Sequence, residues 1–346
     1  MKAIGYTQSL PINNVDSLMD IELPQPVATG RDLLVRVAAI AVNPVDYKVR
    51  LKAAPSEGEF KVLGWDAVGE VVAVGEDVSE FSLGDHVYYA GDITRQGSNA
   101  EYQLVDERIV GKKPKSLSHA EAAALPLTAI TAWEMLFEHL AIKQQPPTSK
   151  DKSAEVILVV GAAGGVGSIF LQLAKAITGA TIIATASRES SQQWVKKLGA
   201  DYVVDHSTAL KPQIDALIAN EGVGQVTHVA SLNSTASYFD TYIDLLVPFG
   251  KIAMIDDPET PLDIMKLKMK SLSFHIEFMF ARSMFNAADM QEQSHLLNRV
   301  AELIDLGYIQ TTVGKNLGVI NAENLKAAHQ ELESGTSIGK LVLQGF

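Results

Sequence analysis

The 346-residue chain contains no cysteine. No disulfide can form, which excludes a small stapled secreted scaffold. Thiolate zinc sites, iron–sulfur clusters and cysteine nucleophiles are excluded with it. Positive charge is also short. Lys and Arg number 29 against 41 Asp and Glu, a net charge of −12. A surface of that sign repels a phosphate backbone, so nucleic acid is not expected as the primary partner. The eight histidines are scattered and form no HExxH or other close ligand pair, so no metal is expected. The N-terminus has neither an apolar signal core nor a small-residue cleavage site, which points to the cytoplasm. The one long uncharged run, 156–174, imitates a membrane span, but Gly161, Gly164, Gly165 and Gly167 divide it. A buried strand, a glycine turn and a helix fit it better, and no membrane partner is expected.

The length suits two or three domains, and the chain changes character along its course. Up to about residue 110, short apolar runs at 33–40 (LLVRVAAI), 67–74 (AVGEVVAV) and 86–89 alternate with Pro and Gly. This pattern predicts a small β-barrel or sandwich. Ser118, with Glu121 three residues on, forms a capping box for helical spacing that runs to about Leu140, interrupted by Pro126. The polar stretch 144–153 reads as an exposed linker. Strands are then expected at 156–160, 181–185, 202–205, 226–230, 251–255 and 271–274. Helices are expected at 165–178, 190–198, 209–220 and 235–246. The alternation predicts an α/β fold with a parallel sheet covered on both faces. A long helix is expected from beyond Asn286 to Leu306, stopped by Gly307, and a second is capped by Asn321. The last strand, 340–344, is expected to return to the N-terminal part.

The segment Val160-Gly161-Ala162-Ala163-Gly164-Gly165-Val166-Gly167 joins an expected strand to an expected helix. That is the setting of a dinucleotide-binding turn, spaced A-x-G-x-x-G. Gly164 would admit a pyrophosphate and Gly167 would bring helix and strand close. The amides of Gly165 and Val166, at the positive end of the helix, would favour phosphate charge. An NAD site places an acid near the end of the second strand. Here Ser187 and Arg188 stand there instead, before Glu189. They would donate hydrogen bonds and charge to a 2′-phosphate, and His206 would join them, so NADPH is the expected cofactor.

These features, with Asn43-Pro44-Val45-Asp46, the run Leu63-Gly64-Trp65-Asp66-Ala67-Val68-Gly69-Glu70-Val71 and Gly84-Asp85-His86-Val87, resemble the medium-chain dehydrogenase/reductase superfamily from end to end. Within it they resemble the quinone oxidoreductase, or zeta-crystallin-like, branch. The resemblance implies a GroES-like β-barrel catalytic domain (1–127 and 279–346) and a Rossmann NADPH-binding domain, a doubly wound parallel sheet (128–278). A cofactor and substrate cleft is implied between them. Zinc-dependent members carry a Cys where this chain has Asn43 and a His where it has Trp65. Their third ligand would fall near Leu127–Thr128, and their four-cysteine lobe is missing.

The resemblance puts Asn43, Tyr47 and Trp65 near the nicotinamide or substrate, with Tyr47 and Lys48 the nearby proton donors. It puts Thr131 at the cofactor ribose. Ser231 and Asn233 leave the carboxyl end of the fourth strand, where the nicotinamide ribose would lie. Phe278, Met279 and Phe280 would wall the pocket or reach the nicotinamide through the backbone. Asp46 and Asp66 are expected to be structural acids, hydrogen-bonded or partnered by Arg36 or Arg50. Without zinc an isolated ketone is a hard target. A quinone or α,β-unsaturated carbonyl spreads the incoming charge through its own conjugation. The expected activity is therefore NADPH-dependent, metal-independent reduction of such substrates. An NADPH-binding redox sensor or structural protein with little turnover is the alternative. A homodimer through the apolar run 271–280 is also implied.

Overall fold

The computed structural model describes residues 1–346. The chain divides into two compact units, Met1–Ile130 with Phe280–Phe346, and Thr131–Met279.

The first unit is built on one long strand, Asp32–Val42, whose inward residues are completely buried. Three neighbours use it: Ala67–Val74, Tyr102–Asp106 and Lys340–Gln344 pair with it antiparallel, and Val313–Asn316 extends the sheet beyond the last of these. His86–Tyr89 and Val110–Lys112 complete the other side. Register shifts between Leu34 and Val35 and between Val37 and Ala39 bend the strand. The bend brings backbone against backbone. A Cβ on Gly69 would stand 2.2 Å from the Arg36 carbonyl oxygen, so only glycine fits there. A small sheet of Met19–Glu22, Lys2–Tyr6 and Lys61–Val62 lies in the same unit.

The expected return of the last strand occurs here: Leu341 pairs with Val42 and Leu343 with Ile40. That pairing sets Lys340 beside Asn43. The Ser118 capping box forms, with the hydroxyl accepting from the Glu121 amide and the Glu121 carboxylate accepting from the Ser118 amide. The long helix expected after Asn286 begins later, at Glu292–Asp305, with a short turn of helix at Ala281–Met284 before it. Asn286 adopts a left-handed conformation, φ +45°, which a helix cannot continue through.

The second unit holds six parallel strands in the order Tyr202–Val204, Thr181–Thr185, Val156–Val160, His228–Ser231, Lys251–Met254, Ser273–Ile276. In chain order this is 3-2-1-4-5-6, which reverses direction between the first and fourth strands. Val156–Val160 is buried at every position, as a central strand covered on both faces must be. Helices Gly165–Ile177, Glu189–Lys197, Leu210–Glu221 and Thr235–Leu245 join the strands. The uncharged run 156–174 is thus a strand, a turn and a helix, and no helix is long and apolar enough to cross a membrane. Ser273–Ile276 is an edge strand, with Ile276 64% exposed.

Candidate functional site

In the second unit, the glycine turn sits at the point where strand order reverses. Gly161 leaves the strand with φ +80°, a left-handed conformation that favours glycine, and its amide donates to Thr185 Oγ1 at 3.2 Å. Two of the glycines that follow, Gly164 and Gly167, have opposite surroundings. A Cβ on Gly167 would lie 2.4 Å from the Ala162 carbonyl oxygen and 2.5 Å from its Cα, so the helix is pressed onto the turn. A Cβ on Gly164 would meet only the Gly161 carbonyl oxygen, at 3.5 Å. Gly164 is therefore not required by packing inside the protein. It is the helix N-cap, and no side chain caps this end, so the first-turn amides of Gly165, Val166 and Gly167 remain available to an external acceptor. Bare amides, a helix dipole and an uncrowded Gly164 fit a dinucleotide phosphate.

Around this turn the expected residues fall as follows. Ser187 is half-buried and Arg188 exposed, at the end of the second strand where the helix Glu189–Lys197 begins. His206 is exposed after the third strand, and its carbonyl accepts from Tyr238 Oη at 3.2 Å. Asn233 is exposed, with its amide oxygen 3.0 Å from where a Gly161 Cβ would stand, so it lies over the turn. Ser231 is different. It is fully buried, and its hydroxyl bonds Thr235 Oγ1 and Tyr242 Oη, both at 2.8 Å. Thr235 in turn is held by Asp256, which accepts from its amide at 2.9 Å. Ser231 thus anchors the strand end through a buried polar network. Thr131 is buried in the helix Pro126–Trp133.

The first unit contains a second polar cluster, wholly buried. Lys340, 3% exposed, donates from Nζ to Asp66 Oδ2 at 2.8 Å, to the Val42 carbonyl at 3.1 Å and to Asn43 Oδ1. Asn43 donates from Nδ2 to Asp66 Oδ2 at 2.8 Å and from its backbone to Asp46 Oδ2 at 2.6 Å. Asp66 Oδ1 accepts from the Leu127 amide at 2.7 Å. Burial pushes the Asp46 carboxyl up to about 7, against the lowering effect of the Asn43 amide and the Lys340 ammonium. Burial also raises Asp66, opposed chiefly by Lys340.

This arrangement corrects several expectations. Of the two alternatives expected for Asp46 and Asp66, hydrogen bonding is the one found, and neither acid is partnered by Arg36 or Arg50. Arg36 pairs with Glu70 at 2.5 Å, and Arg50, itself buried, pairs with Glu333. Asn43 is 1% exposed, and its side-chain groups are committed to Trp65, Asp66 and Lys340. Trp65 is completely buried, donates to the Asp92 carbonyl at 3.2 Å and meets the Phe280 ring edge-on at a centroid distance of 6.0 Å. It is a core residue, as is the Phe280 side chain, 2% exposed. Of the three residues expected to face substrate, Tyr47 alone keeps accessible side-chain surface, on the helix Pro44–Lys52 that Asn43 caps. The reading from sequence missed Lys340. Its only signal there was a lysine next to the apolar run Leu341–Leu343.

The donor set does not fit a catalytic zinc ion. No group of three or more His, Cys, Asp or Glu side chains could hold one. Where Asn43 and Asp66 converge, an ammonium already supplies the positive charge. Thr128 spends its hydroxyl on the Leu125 carbonyl at 3.0 Å.

Residues 29–115 match the alcohol dehydrogenase GroES-like domain family, and residues 165–298 match the zinc-binding dehydrogenase family. The chain is 41% identical over 344 residues to a zinc-type alcohol dehydrogenase-like protein of Staphylococcus aureus, covering 99% of both. It is 38% identical over 246 residues to the 2-methylene-furan-3-one reductase of Solanum lycopersicum, covering 65% of this chain and 58% of that one. A protein of Rhizobium etli, described as a candidate zinc-dependent alcohol dehydrogenase, has a crystal structure that superposes with a TM-score of 0.94 at 51% identity, over 100% of this chain and 98% of the other. A mycobacterial protein solved with NADPH superposes with a TM-score of 0.82 at 27% identity, over 99% and 100%. The fold is α/β, a GroES-like unit with a Rossmann-like parallel sheet. By sequence, fold and the form of its glycine turn, the chain belongs to the medium-chain dehydrogenase/reductase superfamily of oxidoreductases, together with the zinc-type alcohol dehydrogenase-like proteins.

Proposed function

We propose that this protein is an NADPH-dependent, metal-independent reductase of quinones or α,β-unsaturated carbonyls. The observation that carries the reading is the buried ammonium of Lys340 between Asn43 and Asp66. It leaves no donor set that could hold a Lewis-acid metal against a carbonyl oxygen. The acceptor must then be activated by its own conjugation, which delocalises the charge that reduction creates. The Solanum lycopersicum relative, named for reduction of such an enone, supports this substrate class.

NADPH, when bound, supplies a hydride, and the chain does the rest. The amides of Gly165, Val166 and Gly167 receive the pyrophosphate, with Gly164 giving it room. Ser187, Arg188 and His206 receive the 2′-phosphate. Arg188 would bring the charge, and Glu189 opens the helix that follows, its Oε1 accepting from Gln193 Nε2 at 3.1 Å. The mycobacterial relative solved with NADPH supports the choice of nucleotide. Thr131, Asn233 and the backbone near Ser231 would flank the nicotinamide ribose and ring. Tyr47 donates its hydroxyl proton to the developing oxyanion of the acceptor. The working form is a homodimer joined along the edge strand Ser273–Ile276, where Ile276 and Phe278 expose apolar surface.

Steady-state NADPH oxidation tests the reading, with 1,4-naphthoquinone, cyclohexenone and cyclohexanone compared side by side. Turnover of the first two and not the saturated ketone is expected. Turnover of cyclohexanone alone would overturn it. Tight NADPH binding with no turnover of any acceptor would favour a binding protein instead.

A further inference from the structure

Lys340 joins parts of the chain that are far apart in sequence. It is separated from Asn43 by 297 positions and from Asp66 by 274. Its ammonium is too deeply buried to meet substrate and has three acceptors around it. Two of those acceptors, the Val42 carbonyl and Asn43 Oδ1, belong to the last residue of the long strand and the N-cap of the next helix. Asn43 also fixes that helix from within, because its amide donates to Asp46 Oδ2 in the first turn. Tyr47 is the next residue along.

We infer that Lys340 is the positioning residue of the site, its ammonium setting through Asn43 the start of the helix that presents Tyr47. The inference rests on the role proposed above for Tyr47. Several features fit a positioning function better than general packing. A lysine buried for stability alone is a poor choice, since an apolar side chain of similar size avoids the desolvation of both charges. Here the ammonium is aimed at the one backbone junction where strand becomes helix. A first-turn displacement of about 1 Å at such a junction is enough to reduce a well-placed proton transfer about 100-fold. Asp66 orients the pair from the other side, holding Asn43 Nδ2 and Lys340 Nζ on the same oxygen.

A double-mutant cycle on the quinone or enone turnover tests this. Tyr47→Phe should lower kcat by about 100-fold, the usual size of a lost general acid. Lys340→Met should lower kcat by a comparable factor and leave the Kd for NADPH unchanged. Combined with Tyr47→Phe, Lys340→Met should lower kcat little further, because a displaced helix cannot harm a proton donor already absent. Lys340→Met leaves Asp66 buried and unpaired and can fail to fold, so the cycle is repeated with Lys340→Met/Asp66→Asn, which removes both charges. That variant should recover the wild-type Tm and not the wild-type kcat. Lys340→Arg should retain a larger share of kcat than Lys340→Met. If Tyr47→Phe lowers kcat and the Lys340 effect adds to it in full, the positioning inference fails while the Tyr47 role stands. If kcat returns with Tm in Lys340→Met/Asp66→Asn, Lys340 serves stability alone. If Tyr47→Phe leaves kcat unchanged, the Tyr47 role fails and this inference fails with it.

Discussion

Adding one methyl group at Gly164 and at Gly167 should give two different defects, and the contrast tests whether the turn holds a nucleotide. At Gly164 the backbone is φ −73°, ψ −178°, an extended conformation open to any L residue. The added Cβ meets one atom at 3.5 Å, an ordinary contact. Alanine is a worse N-cap than glycine by up to about 1 kcal/mol. It also reduces the freedom of the unfolded chain, which returns about 0.4–1 kcal/mol. The two nearly cancel, so the Tm of Gly164→Ala should stay within about 4 °C of wild type. The methyl then stands where the pyrophosphate must approach. Overpacking of about 1–3 kcal/mol raises the Kd for NADPH about 5- to 150-fold. At Gly167 the methyl would lie 2.4–2.6 Å from three backbone atoms of Ala162 and can be relieved only by lifting the helix. Overpacking at or above about 3 kcal/mol, less about 1 kcal/mol of helix propensity, leaves a net loss of about 2 kcal/mol. The Tm of Gly167→Ala without nucleotide should fall by about 4–8 °C. Isothermal titration with NADPH and calorimetric melts of the free proteins measure both. A folded Gly164→Ala variant with unchanged Kd would refute the assignment of the turn to a pyrophosphate.

Further outcomes follow from the same geometry. Arg188→Asp places a carboxylate where the 2′-phosphate is expected, so the Kd for NADPH should rise far more than that for NADH; equal changes would remove Arg188 from the 2′-phosphate site. Asp46 is held at about 7 in the folded protein against an ordinary 3.8. Between those values the folded state binds the extra proton, so this group makes stability fall as pH rises. Relative to wild type, Asp46→Asn should gain about 1.4 kcal/mol per pH unit from about pH 4 to pH 7 and nothing beyond. Parallel urea-unfolding curves across that range would show that Asp46 does not carry the proton. Treatment with a strong chelator followed by metal analysis should find no stoichiometric zinc and no loss of turnover; activity that disappears and returns with zinc would contradict the reading of the Lys340 cluster.

What was readable from the sequence is what is encoded locally. The β-branched run 156–160, the glycine turn and the helical spacing after it are contiguous, and the strand and helix they predict are the ones found at Val156–Val160 and Gly165–Ile177. The Ser118 capping box involves residues three apart and formed as expected. The helix expected between Asn286 and Leu306 is present as Glu292–Asp305; its start lies later than expected, beyond turns that the apolar spacing does not mark. The buried polar clusters were not legible at all. Whether Asn43 faces a ligand or a lysine 297 positions away depends on how the last strand pairs with Asp32–Val42. Trp65 and Ser231 likewise carry side chains that suit a site or a core, and only burial and hydrogen-bond partners separate the two. The sequence by itself thus determined the strand, glycine turn and helix frame and the absence of thiolate ligands. The tertiary structure alone decided that a buried ammonium organises Asn43 and Asp66, because a charge removed from water can be stabilised only by partners that the folded chain brings to it.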